Sequence, residues 1–226
     1  DTGDMGKLTF SGSGSSGPIA AWDDVTPSAN EEAHGVAVAG TIAGAANSSS
    51  SANVFIFDYT AMDGLAIKAK YTPSNTSVSR ESSTEIGALY TGIDGLSVYA
   101  AMGENNDDPT TNGRKELRVA AAKYAAGSFT VGYQASEDDS ETASADVDFN
   151  AIGVSYAVSD DMSVSLNTST HEYESSTLSD QEAMGISVSY TMGSLSLKAN
   201  HNQIDNVAGT STSDKSGYAL TLGFTF

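Results

Sequence analysis

Cysteine is absent from the 226 residues of the chain, so neither disulfides nor thiolate metal sites can contribute. Proline numbers only 4, and leucine is sparse beside 22 glycines and many serines, threonines, alanines and asparagines, a composition that disfavours long helices. Basic residues are few: 10 Lys and Arg stand against 29 Asp and Glu, for a formal net charge of −19. A phosphate backbone would repel such a chain, so nucleic acid is excluded as a partner. No apolar run approaches the roughly 20 residues of a membrane-spanning helix. That absence does not reach strands, because a transmembrane β-strand needs only about 9–11 residues with every second one facing lipid. The opening Asp1-Thr2-Gly3-Asp4 has no apolar signal-peptide core, which reads as the start of a mature or truncated chain. The length suits one domain of ordinary size, taken here as residues 1–226.

What is present is alternation. From residue 54 onward, apolar residues recur at every second position in segments of roughly ten residues, the period of half-buried strands. Phe55, Phe57 and Tyr59 begin the series, and Leu65, Ile67, Ala69 and Tyr71 follow. Later runs include Leu96, Val98, Ala100 and Met102, then Leu117, Val119 and Ala121, then Ile152, Val154 and Tyr156. The chain closes on Tyr218, Leu220, Leu222, Phe224 and Phe226. About eleven strands result. The intervening positions are small or polar, as with Lys68 and Lys70, Ser97 and Tyr99, Glu116 and Arg118, Ser163 and Ser165, or Ser196 and Lys198. One face is therefore expected to be apolar and the other wet, with Lys68, Lys70, Arg118 and Lys198 on the wet face.

The connections alternate in length. Short turns such as Ala61-Met62-Asp63-Gly64 and Gly92-Ile93-Asp94-Gly95 have the Asp-Gly chemistry of tight hairpins. Between them lie polar loops at 72–82, 104–113, 136–146, 171–181 and 204–215. The acidic stretches Asn105-Asn106-Asp107-Asp108 and Glu137-Asp138-Asp139 read as solvated loops. Short alternating with long is the periodicity of an antiparallel up-and-down barrel with one plain and one ornamented rim. Tyr59, Tyr90, Tyr156, Tyr190 and Phe224 sit on the apolar face close to the short turns. Amphipathic aromatics at one height are favoured at a membrane–water interface. A soluble sandwich would want bulkier residues and loops of about equal length, and a solenoid a fixed repeat.

Chemistry-bearing motifs are few. His34, His171 and His201 lack metal-ligand spacing, and no nucleophile with an oriented base stands out, so an enzyme is not predicted. Gly12, Gly14 and Gly17 precede no P-loop lysine. Asp107, Asp108, Asp138 and Asp139 offer oxygens of the kind Ca²⁺ takes, without EF-hand spacing. A second reading, an acidic surface adhesin or structural β protein with Ca²⁺-binding loops, stays open at this point. No other cofactor is expected.

The closing strand Ser216-Gly217-Tyr218-Ala219-Leu220-Thr221-Leu222-Gly223-Phe224-Thr225-Phe226 resembles the terminal strand of bacterial outer-membrane barrels. The layout of the whole chain resembles alphaproteobacterial general porins of the Rhodobacter type, which are sixteen-stranded trimers. Met5-Gly6-Lys7-Leu8-Thr9-Phe10, followed by Gly12, Gly14, Gly17 and Trp22-Asp23-Asp24, looks like that family's fifth strand entering its third loop. The resemblance implies about twelve strands here, with four opening strands lacking, unless the barrel is complete at twelve. It implies that residues 11–51 fold into the lumen as a constriction loop. Asp23, Asp24, Glu31 and Glu32 would then face Lys68, Lys70, Arg118 and Lys198 across a water-filled pore and set up a transverse field. It implies passive passage of small hydrophilic solutes and ions, and the excess of acids adds the expectation of a mild cation preference. It also implies a homotrimer in the bacterial outer membrane, in contact with lipid and lipopolysaccharide, whose terminal Phe226 is read by the barrel assembly machinery.

Overall fold

The computed structural model of the chain describes residues 5–33, 46, 48–107, 109, 113–142 and 145–225. Its first strand is β1 (Lys7–Ser11). A long connection carrying the short helix α1 (Pro18–Trp22) leads to β2 (Val54–Met62) and β3 (Leu65–Thr72). Nine strands follow: β4 (Ser83–Ile93), β5 (Leu96–Asn105), β6 (Lys115–Ala126), β7 (Phe129–Ser140), β8 (Val147–Ala157), β9 (Met162–Tyr173), β10 (Gln181–Met192), β11 (Leu195–Asp205) and β12 (Lys215–Phe224). All twelve join one antiparallel sheet in chain order, each pairing only with its neighbours in sequence. Among the described residues, no pairing joins β1 to β12. The architecture is the all-β, up-and-down meander that the alternation predicts.

The two faces differ in chemistry. Tyr59, Ile67, Ala88, Val98, Val131, Val154, Val188 and Leu222 share one face of the sheet. Leu220 is 72% exposed there and Ile186 58%. In water a continuous apolar surface of this kind would drive aggregation, whereas in lipid it is the required outer face. The opposite face carries Lys70, Glu85, Gln134, Asn167, Asn200 and Asn202, all buried. They are buried because the connection between β1 and β2 lies on that face. The short turns are tight: Gly64 and Gly95 take φ +74 and +72, a left-handed conformation that the Asp-Gly pairs supply without steric cost.

The structure corrects the reading of β6 and of the acidic stretch after it. Leu117 (0% exposed) and Val119 point inward and pack with Ile19 and Trp22 of α1 and with Ala101. Glu116 and Arg118 stand on the outer face. The inner wall is apolar at this place because the inserted helix covers it, and burying Leu117 and Ile19 stabilises by roughly 1.5–3 kcal/mol each. Glu137-Asp138-Asp139 is the upper end of β7, not a loop. Alternation simply continues there, with Asp138 turned inward, 2.7 Å from Lys115 Nζ, and Glu137 outward, 2.7 Å from Arg118.

Candidate functional site

The first part of the connection from β1 to β2, through residue 33, runs along the inner face from β4 to β11, held by side chains of the strands it crosses. Gln134 of β7 both accepts from the Val25 N–H (3.0 Å) and donates to the Asp23 carbonyl (2.6 Å). Asn167 of β9 donates to the Pro27 carbonyl (2.9 Å), and Ser165 accepts from the Ala29 N–H (2.9 Å). Ser187 of β10 accepts from the Asn30 N–H (3.1 Å). Asn202 of β11 donates to the carbonyls of Glu32 and Ala33. The strands therefore satisfy backbone groups of a segment whose described residues form no strand. Glycines make room for it. A Cβ at Gly132 would lie 2.5 Å from Pro27 Cδ, at Gly153 2.8 Å from the Pro27 carbonyl, and at Gly185 2.9 Å from Ala33 Cα. Gly132 and Gly153 are register partners, so Pro27 rests on a two-glycine saddle.

The proposed constriction residues are distributed unevenly. Lys68 and Lys70 share the loop-bearing face, but each is engaged locally: Lys68 lies 2.9 Å from Asp58, its cross-strand partner, and Lys70 2.8 Å from Glu85. Lys198 faces inward, opposite Ser189. Arg118 does not join them, since it stands outside with Glu137 (2.7 Å) and Glu116 (3.1 Å). Lys123 takes its place. This lysine, overlooked in the sequence, lines with Asp24 and Glu32 a cavity of about 680 Å³ between the inserted segment and the rim of short turns. Its inward parity on β6 could be read only after the direction of Leu117 and Val119 was known.

The acids of the segment repel one another in partial burial. Burial, with Asp24 beside it, raises the Asp23 carboxyl to about 7. Burial likewise raises Asp24. Glu32 is raised to about 7 by burial and by the charges of Asp24 and Glu31. The carboxylate-rich strip on one side of the cavity and the lysine on the other set up a transverse field across it.

The sequence model of the Gram-negative porins matches residues 2–175. The chain belongs to that family. A porin whose structure was refined at 1.8 Å superposes on it with a TM-score of 0.72 at 15% identity, over 99% of this chain and 79% of that one. OmpT, an outer membrane protein of Vibrio cholerae, gives 0.60 at 15% identity, over 99% and 77%. An anion-selective porin of Comamonas acidovorans gives 0.63 at 11% identity, over 80% and 64%. At these identities the likeness is one of fold. No curated protein matches the sequence closely enough to count. The protein is an outer-membrane porin, and the twelve strands of its described residues are pore wall.

In this porin several aromatic residues gather on the outer face at the level of the short turns. Tyr59, Tyr90, Tyr156, Tyr190 and Phe224 all stand on the outer face near the short turns, joined there by Tyr124 and by Phe129, whose ring centroid lies 4.5 Å from that of Tyr156. Tyr71 stands exposed at the upper end of β3 and Tyr218 in the upper half of β12 on the same face, whereas Tyr133, expected at an upper end, lies near the middle of β7, which runs on to Ser140. Phe226 lies outside the described residues, as do Asp108 and His34. The candidate Ca²⁺ acids are not brought together: Asp107 accepts from the Ser50 N–H (2.6 Å), Asp138 faces inward to Lys115, and Asp139 faces outward. Among the described residues, no group of three or more His, Asp or Glu side chains could hold a metal ion. His171 packs inward on Phe149 (4.7 Å) and His201 outward on Tyr218 (5.2 Å), so these two imidazoles share no site.

Proposed function

We propose that this porin is a passive channel without a chemical step, through which small hydrophilic solutes and ions diffuse, with a mild preference for cations. The observation that carries the preference is the imbalance along the inserted segment. Its four acids meet a wall whose Lys68 and Lys70 are already held by Asp58 and Glu85, and whose Arg118 lies on the other side. Two lysines remain against the four acids: Lys123, which lines the cavity with Asp24 and Glu32, and Lys198, which faces inward on β11. Local charge at the narrowest section governs which ions pass, so a net negative strip favours cations. Fold does not settle the sign, since a protein of the same fold is anion-selective. The remainder of the reading is a homotrimer inserted by the barrel assembly machinery, its apolar outer face in lipid and lipopolysaccharide.

The test is conductance of the purified porin in planar bilayers under a salt gradient. Stepwise currents with a cation-selective reversal potential are expected. Asp24→Asn with Glu32→Gln should lower the cation-to-anion permeability ratio by about twofold or more, because two charges leave the narrowest part of the path. An anion-selective wild type would refute the charge argument, and a wild type without current steps would remove the pore.

A further inference from the structure

The inserted segment leaves β1 and returns to β2, and both of its limbs meet at one buried ion pair. Lys70 of β3 and Glu85 of β4 lie 2.8 Å apart, with side chains 1% and 0% exposed. On the outgoing limb, the Ile19 N–H donates to Glu85 Oε2 (3.3 Å). On the returning limb, the Ser48 hydroxyl donates to Glu85 Oε1 (2.6 Å). Lys70 Nζ in turn donates to Ser48 Oγ (2.8 Å) and to the Ser49 carbonyl (2.6 Å). The hydroxyls of Ser49 and Thr72 meet beside them at 2.9 Å. Two glycines clear the space: a Cβ at Gly17 would stand 2.6 Å from Lys70 Cδ, and one at Gly103 2.7 Å from Glu85 Cγ.

A pair so deeply buried is a poor source of stability, because desolvating both ions offsets most of their attraction. Its geometry is specific, however: every acceptor and donor it uses beyond itself belongs to one limb or the other. We propose that Lys70 and Glu85 are positioning residues of this pore, a clasp that fastens both ends of the inserted segment to the β3–β4 wall and thereby sets the bore. The proposal rests on the reading of the chain as a passive channel. Farther along, the segment is held by neutral amides and hydroxyls acting on its backbone, bonds individually weaker than those to charged groups. The clasp is thus the strongest point of attachment, and it is independent of the outer face that meets lipid.

The experiment is single-channel recording of the full chain carrying Glu85→Gln, or Lys70→Met with Glu85→Gln. The double variant leaves no unpaired buried charge and guards against misfolding of the single one. Both should conduct roughly one and a half to two times more than wild type, with larger current fluctuations and a higher solute size limit. A redox readout isolates position from folding. In the cysteine-free chain, Ser49→Cys with Thr72→Cys introduces one candidate disulfide across the same two elements. Added to the double variant, it should return conductance to the wild-type level when oxidised and release it when reduced. Wild-type conductance in Lys70→Met/Glu85→Gln overturns the clasp, as does an oxidised bridge that restores nothing. Failure of the double variant to fold overturns it too, by showing that the pair serves the wall itself. A wild type without current steps would instead sink the channel reading.

Discussion

Cation preference is expected to fall as the pH is lowered from about 8 to about 6, with a midpoint near 7, a range in which ordinary exposed carboxylates do not titrate. The reason is the state of two loop acids. Burial raises Asp23 to about 7, and burial with the neighbouring charges of Asp24 and Glu31 raises Glu32 to about 7. One unit below such a value, about nine carboxyls in ten are protonated. The strip formed by Asp23, Asp24, Glu31 and Glu32 then loses roughly two of its negative charges. The sign also fixes how docking responds. A carboxyl whose value is higher in the folded state than in the unfolded one favours the folded state when protonated. That advantage is whole below about pH 4, shrinks between about 4 and 7, and is gone above. Loop-borne current noise should therefore be smaller at the acid end. Reversal potentials measured across this range in a fixed salt gradient provide the check, and Asp23→Asn with Glu32→Gln should flatten the curve. A curve in the wild type with no inflection near 7 would show that these carboxyls do not face the ion path.

Much of the fold was open to inspection in the sequence because a barrel strand repeats a simple rule. The run Leu65, Ile67, Ala69, Tyr71 alternates with Lys68 and Lys70, and the structure keeps that division. The Asp-Gly turns sit where their left-handed glycines are needed. What alternation could not give is which face is inner when chain from elsewhere covers it. At β6 the inner residues are Leu117 and Val119, since their neighbours are Ile19 and Trp22, about a hundred positions earlier. Read alone, the strand places its apolar side in lipid and its Arg118 in the lumen. The acids of β7 were hidden for a related reason: the outer face turns polar above the lipid band, so Glu137 and Asp139 look like loop. Lys70 was legible as an inward charge, but its partner was not. Glu85 is the third residue of a strand whose apolar pattern begins only at Ile86, and register alone sets it opposite Lys70.

Replacing both saddle glycines, Gly132→Ala with Gly153→Ala, should lower single-channel conductance by roughly half while leaving the wall intact, the opposite sign from loosening the clasp. Neither residue has a positive φ, so alanine fits the strand backbone and somewhat favours the strand over the unfolded chain. The obstruction lies entirely on the inner side. The new methyl groups would stand 2.5 Å from Pro27 Cδ and 2.8 Å from the Pro27 carbonyl, and the second would strike the Asn167 amide that holds that carbonyl. Pro27 is rigid and its carbonyl is committed, so the segment cannot absorb the volume by a rotamer change; it must lift toward the axis of the pore. Heat-modifiability on gels should not change, because the outer face and the β7–β8 ladder from Phe129 to Asp138 are untouched. Conductance equal to wild type would mean that the segment yields sideways along the wall, and that the glycines fix its path without fixing the width left beside it.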